Sequence, residues 1–257
     1  MRDSKTRKAR LTLTALGVLL VGAVVGGGVV AGTTLGGDDG SKGASASPTP
    51  SAAGPTPSQP TDPQQAAMTP EKARKLTLET PTGQKNGLST GFSEAPGGDV
   101  STIVYFWEEY AFLDDQKARQ QLDSIVSPDA PGYADELISE VRKLRESIGL
   151  APSGGTPAGI TFSTSVNAVR ATSLTGTDGK VIQVWLNYDR YSTNADGGPD
   201  KDPLKDQDVD FLLKWQKGGW KITNESRYWK KRSFARAYVA DSHVSWMDGW
   251  RQVRHAD

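Results

Sequence analysis

Residues 87–91 read GLSTG and satisfy the pattern G-x-S-x-G, which in some hydrolases sets a nucleophilic serine on a sharp turn between a strand and a helix. That chemistry needs a histidine base. The chain has two histidines, His243 and His255, both in the C-terminal segment and in no spacing typical of a catalytic triad or a metal site. A polar lead-in precedes Ser89 and no helical pattern follows it directly, so the match is read as chance. No catalytic residue is assigned.

A second stretch invites a metal reading. Asp196, Asp200, Asp202, Asp206, Asp208 and Asp210 crowd one loop and the strand start after it, and carboxylate oxygens are what calcium takes. An EF-hand loop counted from Asp206 requires glycine at its sixth place and glutamate at its twelfth. Phe211 and Lys217 stand there instead. Lys201 and Lys205 interleave with the acids, so a solvated acidic loop is expected, with no metal or cofactor site. The chain has no cysteine, which excludes disulfides, thiolate zinc sites, a cysteine nucleophile and a lipid-modified cysteine.

The third candidate is the C-terminal segment RYWKKRSFARAYVADSHVSWMDGWRQVRHAD. Its basic residues, Arg227, Lys230, Lys231, Arg232, Arg236, Arg251 and Arg254, face only Asp241, Asp248 and Asp257. Aromatic residues interleave with them: Tyr228, Trp229, Phe234, Tyr238, Trp246 and Trp250. Such a mixture suits phosphate-bearing or acidic partners. The candidate partner-binding residues are Arg227, Lys230, Lys231, Arg232, Arg236, Trp246 and Trp250. The competing reading is a tail that packs back on its own domain with snorkelling Lys and Arg. Over the whole chain Lys+Arg and Asp+Glu balance at 30 each, so nucleic acid is not an expected partner.

These residues must be held by elements, and the N-terminal third is unsuited to that task. Residues 1–10 are basic and are expected to stay in the cytoplasm; Leu11 to Leu35 carry no charge and are long enough to span a bilayer. The expectation is a single-pass anchor with everything after it extracytoplasmic. The alternative is a signal peptide cleaved after Val29-Val30-Ala31, leaving a secreted chain. Residues 36–85 form a disordered Pro/Ser/Gly-rich linker and lead-in: 36–68 cannot bury enough apolar surface to offset their ordering entropy, and the stretch from Glu71 could form a short helix or a strand.

Helical periodicity then begins. Val100, Ile103, Val104, Phe106, Trp107 and Tyr110 predict a helix capped by Asp99 or Ser101. Residues 116–125 and 134–148 predict two more, stopped by Ser127-Pro128 and Gly149. Beyond the SGGTPAG loop the period becomes two. Ile160, Phe162, Val166 and Ala168 share one face of a first strand, and Ile182, Val184, Leu186 and Tyr188 share one face of a second. Phe211, Leu213, Trp215, Trp220 and Ile222 lie on a common face of a hairpin with a Lys-Gly-Gly turn. Both tryptophans are read as core anchors. The fold class is therefore α+β, with N-terminal helices packed in a curved antiparallel sheet over residues 90–232 and a basic, aromatic tail over 233–257.

This order of helices and strands, with a tryptophan pair across the final hairpin, resembles the cone-shaped fold of the nuclear-transport-factor-2-like superfamily over roughly residues 92–230. Enzymes of that superfamily place an acid or base and a tyrosine in the cone mouth. Asp114, Asp115, Tyr105, Tyr110, Tyr188 and Tyr191 are the residue types available for that role here, but no site follows from availability alone. One anchor, a linker and a small cone domain without a catalytic set resemble the bitopic core component of type IV secretion and conjugation channels. They also resemble the accessory protein of mammalian-cell-entry-type lipid transporters. The first resemblance implies a non-enzymatic scaffold whose partners are other membrane-complex subunits, the bilayer through Leu11 to Leu35, and further copies of itself. A small-ligand-binding or enzymatic cone domain is the other class, distinguished by a polar cavity where a scaffold has a filled interior.

Overall fold

The computed structural model describes residues 67–177, 180–194, 200 and 203–256. The anchor expected over Leu11 to Leu35 and most of the linker lie outside these residues. Among the described residues no helix is long and apolar enough to cross a membrane.

Three helices form where periodicity places them. Helix α1 (Gly98–Glu109) buries Val100, Ile103, Val104, Phe106 and Trp107. Its start differs from expectation, because neither Asp99 nor Ser101 caps it. Gly97 takes a left-handed conformation at φ 107° and serves as the N-cap, while its N–H donates to Asp99 Oδ1 and its carbonyl accepts from the Ser101 hydroxyl. Helix α2 (Asp115–Ile125) is capped by Asp114, whose carboxylate accepts from the Lys117 N–H at 2.9 Å. Helix α3 (Tyr133–Ser147) is closed by Gly149 at φ 79° and buries Leu137, Ile138, Val141 and Leu144.

The sheet is a curled half-barrel in an α+β molecule. Its strand order is β1 (Leu76–Thr77), β8 (Arg251–Arg254), β4 (Ile160–Ser173), β5 (Val181–Asn194), β6 (Leu204–Gln216), β7 (Gly219–Thr223). Only β1 and β8 pair in parallel; the other neighbours are antiparallel. A small hairpin, β2 (Gly83–Lys85) and β3 (Leu88–Thr90), stands apart from this sheet, with β3 against α1. Helix α1 crosses β4 and β5, and α2 packs on α3 and β7. The main core lies between helices and sheet and includes Trp107, Leu122, Val141, Leu186 and Phe211.

Register decides which side chains reach that core. In β5 the alternation holds: Val184, Leu186 and Tyr188 are core, with Ile182 packed on them. In β4 a bulge at Asn167 breaks it, so that Val169 rather than Ala168 joins Val166 in the main core. The β6–β7 hairpin turns on Lys217 and Gly218, both at positive φ, and Gly219 is already a strand residue opposite Gln216. Phe211, Leu213, Trp220 and Ile222 are core, with Trp215 partly buried against them.

The folded unit is larger than residues 90–232. Leu78 and Leu88 from the lead-in are core residues, and the tail supplies β8, which pairs with both β1 and β4. Trp250 is fully buried: its indole N–H donates to the Arg236 carbonyl at 2.8 Å and its ring meets Tyr238 at 5.5 Å. Strands of two and four residues are too short to display a period, which is why the sequence pattern sets these segments apart.

Candidate functional site

The segment from Ser226 to Asp248 forms a strap. It begins with a short helix α4 (Ser226–Trp229), runs without regular structure, and ends in α5 (His243–Met247) before β8. Side chains on the sheet face turned away from the helices hold it down. Gln183, fully buried, donates to the Ser233 carbonyl at 3.0 Å and accepts from the Ser233 N–H at 2.9 Å. The Arg232 guanidinium lies 3.3 Å from the centre of the Trp229 ring and pairs with Asp210 at 3.2 Å. Burial pushes the Asp210 carboxyl up, and Arg232 and Gln183 oppose that shift. Farther along, Arg170 Nε donates to the Asp248 carbonyl at 2.7 Å, and the Ser245 hydroxyl accepts from the Val239 N–H at 3.0 Å. Tyr228 and Trp229 cover Leu174, Val181 and Leu212.

The candidate partner-binding residues thereby separate. Arg232 is committed to Asp210, and Trp250 has no exposed area to offer a partner. Trp246 is half-buried beside His243 and the Arg251 guanidinium. Arg227 is exposed but donates to Glu225 at 2.7 Å. Lys230, Lys231 and Arg236 are exposed, and with them is Phe234, 89% exposed. Val239, Val244 and Met247 follow, so every large exposed apolar side chain among the described residues belongs to this strap. The start of the described chain lies against it: His243 Nδ1 is 2.9 Å from the Met68 carbonyl, and the Glu71 N–H donates to the Ala240 carbonyl at 3.0 Å. Sequence reasoning named the basic and aromatic residues here but not Val239, Val244 and Met247. Exposure of single apolar residues leaves no periodic trace.

Between helices and sheet a small, partly open recess of about 20 Å3 is lined by Trp107, Tyr110, Phe112 and Arg190 among others. Outside it a cleft of about 340 Å3 shares Tyr110 and Phe112 and is bordered by Glu108, Glu109, Asp114, Lys117 and Thr164. Arg190 was missed in the sequence, although the period that places Ile182, Val184, Leu186 and Tyr188 inward places it inward too. It is 3% exposed, stacks 3.7 Å from the Phe112 ring centre, and donates from Nε to Thr164 Oγ1 at 3.1 Å. Burial pushes its pKa down.

The other chemistry-bearing residues are dispersed or structural. Ser89 sits in β3, with no helix directly after it, and its hydroxyl donates to Glu109 at 2.6 Å. His255 meets a different carboxylate, Glu108, at 2.8 Å, with the Tyr105 ring edge-on to it at 5.0 Å. Asp115 is buried and held by Arg142 at 3.0 Å and by the Gly154 N–H at 2.8 Å; Tyr191 donates to Asp189 at 2.8 Å. Tyr110 and Tyr188 have pKa values raised by burial. Asp196 and Asp202 lie outside the described residues. Asp200 accepts from Ser192, Asp208 from Asn187 and Asp210 from Gln183, all three donors being residues of β5. Among the described residues no group of three or more His, Asp or Glu is placed to hold a metal ion. Comparison with protein families, with curated proteins and with solved structures found no match to this chain.

Proposed function

We propose that this chain is a membrane-anchored, extracytoplasmic assembly component of a conjugative or type IV secretion-like envelope complex, with a nuclear-transport-factor-2-like cone as its folded part. The observation that carries this reading is the strap. Phe234, Val239, Val244 and Met247 are exposed there beside Lys230, Lys231 and Arg236. Exposed apolar residues interleaved with basic ones along one segment suit a protein–protein contact. The strap also adjoins Met68, near the start of the described residues.

The test is a chain carrying Phe234→Ser and Met247→Ser, isolated in detergent from cells that hold the genes encoded alongside it. The variant is expected to stay in the membrane fraction and to melt like the parent while losing the envelope subunits that co-purify with the parent. Unchanged co-purification would remove the strap as the contact.

A further inference from the structure

Strand β4 pairs with β5 along nearly its whole length, from Ile160 to Ser173, but β8 meets its other side at Ala168 and Val169 alone. Two hydrogen bonds fix which backbone groups this leaves without a strand. The Val166 N–H donates to Glu108 Oε1 at 2.9 Å, so it points away from β5. The Ser192 N–H, in register with Phe162, donates to Asp200 at 2.6 Å, so it points away from β4. Both observations put Phe162, Thr164 and Val166 in pairs that exchange no hydrogen bond with β5, with their amides and carbonyls turned to the β8 side. Glu108 takes the Val166 amide at one end, and at the other the Ile160 N–H turns back to the Pro157 carbonyl at 3.3 Å. Between these ends, among the described residues, no strand lies along Phe162 and Thr164.

This edge lacks the devices that keep sheet edges from pairing. Residues 160–165 read ITFSTS, with no charge, no proline and no bulge. The edge of β6 before Leu212, which β7 does not reach, is built differently: it carries Lys205, Asp206, Asp208 and Asp210, and a bulge where Asp206 takes φ 54°. Beside the β4 edge lies the cleft of about 340 Å3, which Phe162 and Thr164 line together with Glu108, Glu109 and Asp114. Glu108 is bonded by His255, Glu109 by Ser89 and Asp114 by the Lys117 amide, so among the described residues no lysine or arginine side chain neutralises them.

We propose that the free half of β4 takes an extended segment of a partner protein as an added antiparallel strand, with lysine or arginine at alternate positions. Main-chain bonds to Phe162 and Thr164 hold the segment, and the side chains opposite those residues project on the same face, toward the cleft and its carboxylates. The added strand continues the line of β8, which also runs antiparallel to β4. A second copy of this chain is the poorer occupant. Its own ITFSTS brings no cation, and two-fold pairing sets the Glu108, Glu109 and Asp114 carboxylates of both copies around one edge. The contact is separate from the strap and does not depend on it.

The experiment is hydrogen exchange on the full chain in detergent, read at Phe162 and Thr164, with and without a capped Lys-Thr-Lys-Thr-Lys-Thr peptide. The peptide is expected to bind saturably, to slow exchange at both amides about tenfold, and to bind more weakly as salt rises. The matching Glu-Thr peptide is expected not to bind. N-methylation separates strand pairing from charge, because in antiparallel register the lysine amides face β4 and the threonine amides face solvent. Methyl groups on the lysine backbone nitrogens are expected to weaken binding about tenfold or more, and on the threonine nitrogens to leave it within about twofold. Every arm alters the peptide alone, so folding of the chain is not at issue. The proposal is overturned if the Lys-Thr peptide does not bind, if it binds without slowing exchange at these amides, if the Glu-Thr peptide binds equally well, or if the position of the methyl groups makes no difference. Slow exchange at both amides in the free chain that deepens with chain concentration would give the edge to a second copy, and would overturn it as well.

Discussion

Trp215 and Trp220 stand opposite each other across the hairpin, with rings edge to face at 5.5 Å, yet their surroundings differ. Trp220 is 7% exposed and its indole N–H donates to the Ser93 carbonyl at 2.8 Å, tying β7 to the segment before α1. Trp215 is only partly buried against the core. Trp220→Ala therefore opens a cavity and leaves a carbonyl without its donor, and is expected to cost about 3–5 kcal/mol. Trp215→Ala loses one aromatic contact at the core margin and should cost about 1 kcal/mol. Denaturant unfolding of the two variants checks this, and equal costs would contradict the asymmetry. In the GLSTG stretch Ser89 donates to Glu109, while His255 is bonded to a different carboxylate, Glu108.

Among the elements, β8 and the strap behave as one piece of structure with two faces. Inward, Trp250 and Val253 are buried, and β8 fills the place between β1 and β4. Outward, Phe234 and Met247 meet solvent. A chain ending after Gly249 is therefore expected to lose cooperative unfolding altogether, because it exposes Ala168 and Val169 and frees β1 from its pairing partner. Phe234→Ser should leave the melting curve within about 0.5 kcal/mol of the parent. Calorimetry on the two chains separates the roles. A truncated chain that melts like the parent would show β8 to be an appendage.

For the whole molecule, the balanced charge of 30 basic and 30 acidic residues hides a division between an acidic loop before β6 and a basic strap. With Leu11 to Leu35 uncharged, the chain is expected to remain with membranes through high salt and alkali and to leave them only in detergent. Recovery of a soluble chain beginning near Gly32 would identify that segment as a cleaved signal instead.

Periodicity by itself determined the three helices and the inward face of β5, because each repeats its apolar residues over enough positions for burial on one side to leave a record. Composition determined the absence of disulfide and thiolate chemistry, since the chain has no cysteine. Tertiary structure alone decided the rest. The bulge at Asn167 exchanges Ala168 for Val169, and such an extra residue changes a strand's facing without altering its composition. The pairing of β1 with β8 joins segments far apart in the chain, so neither shows locally why it is a strand. Trp250 and Phe234 are similar aromatic residues in one basic segment, and only tertiary packing buries the first against Tyr238 and leaves the second 89% exposed. Arg190 continues an apolar alternation, and its stacking on Phe112 and Trp107 appears only when β5 is laid against α1 and the Phe112 loop.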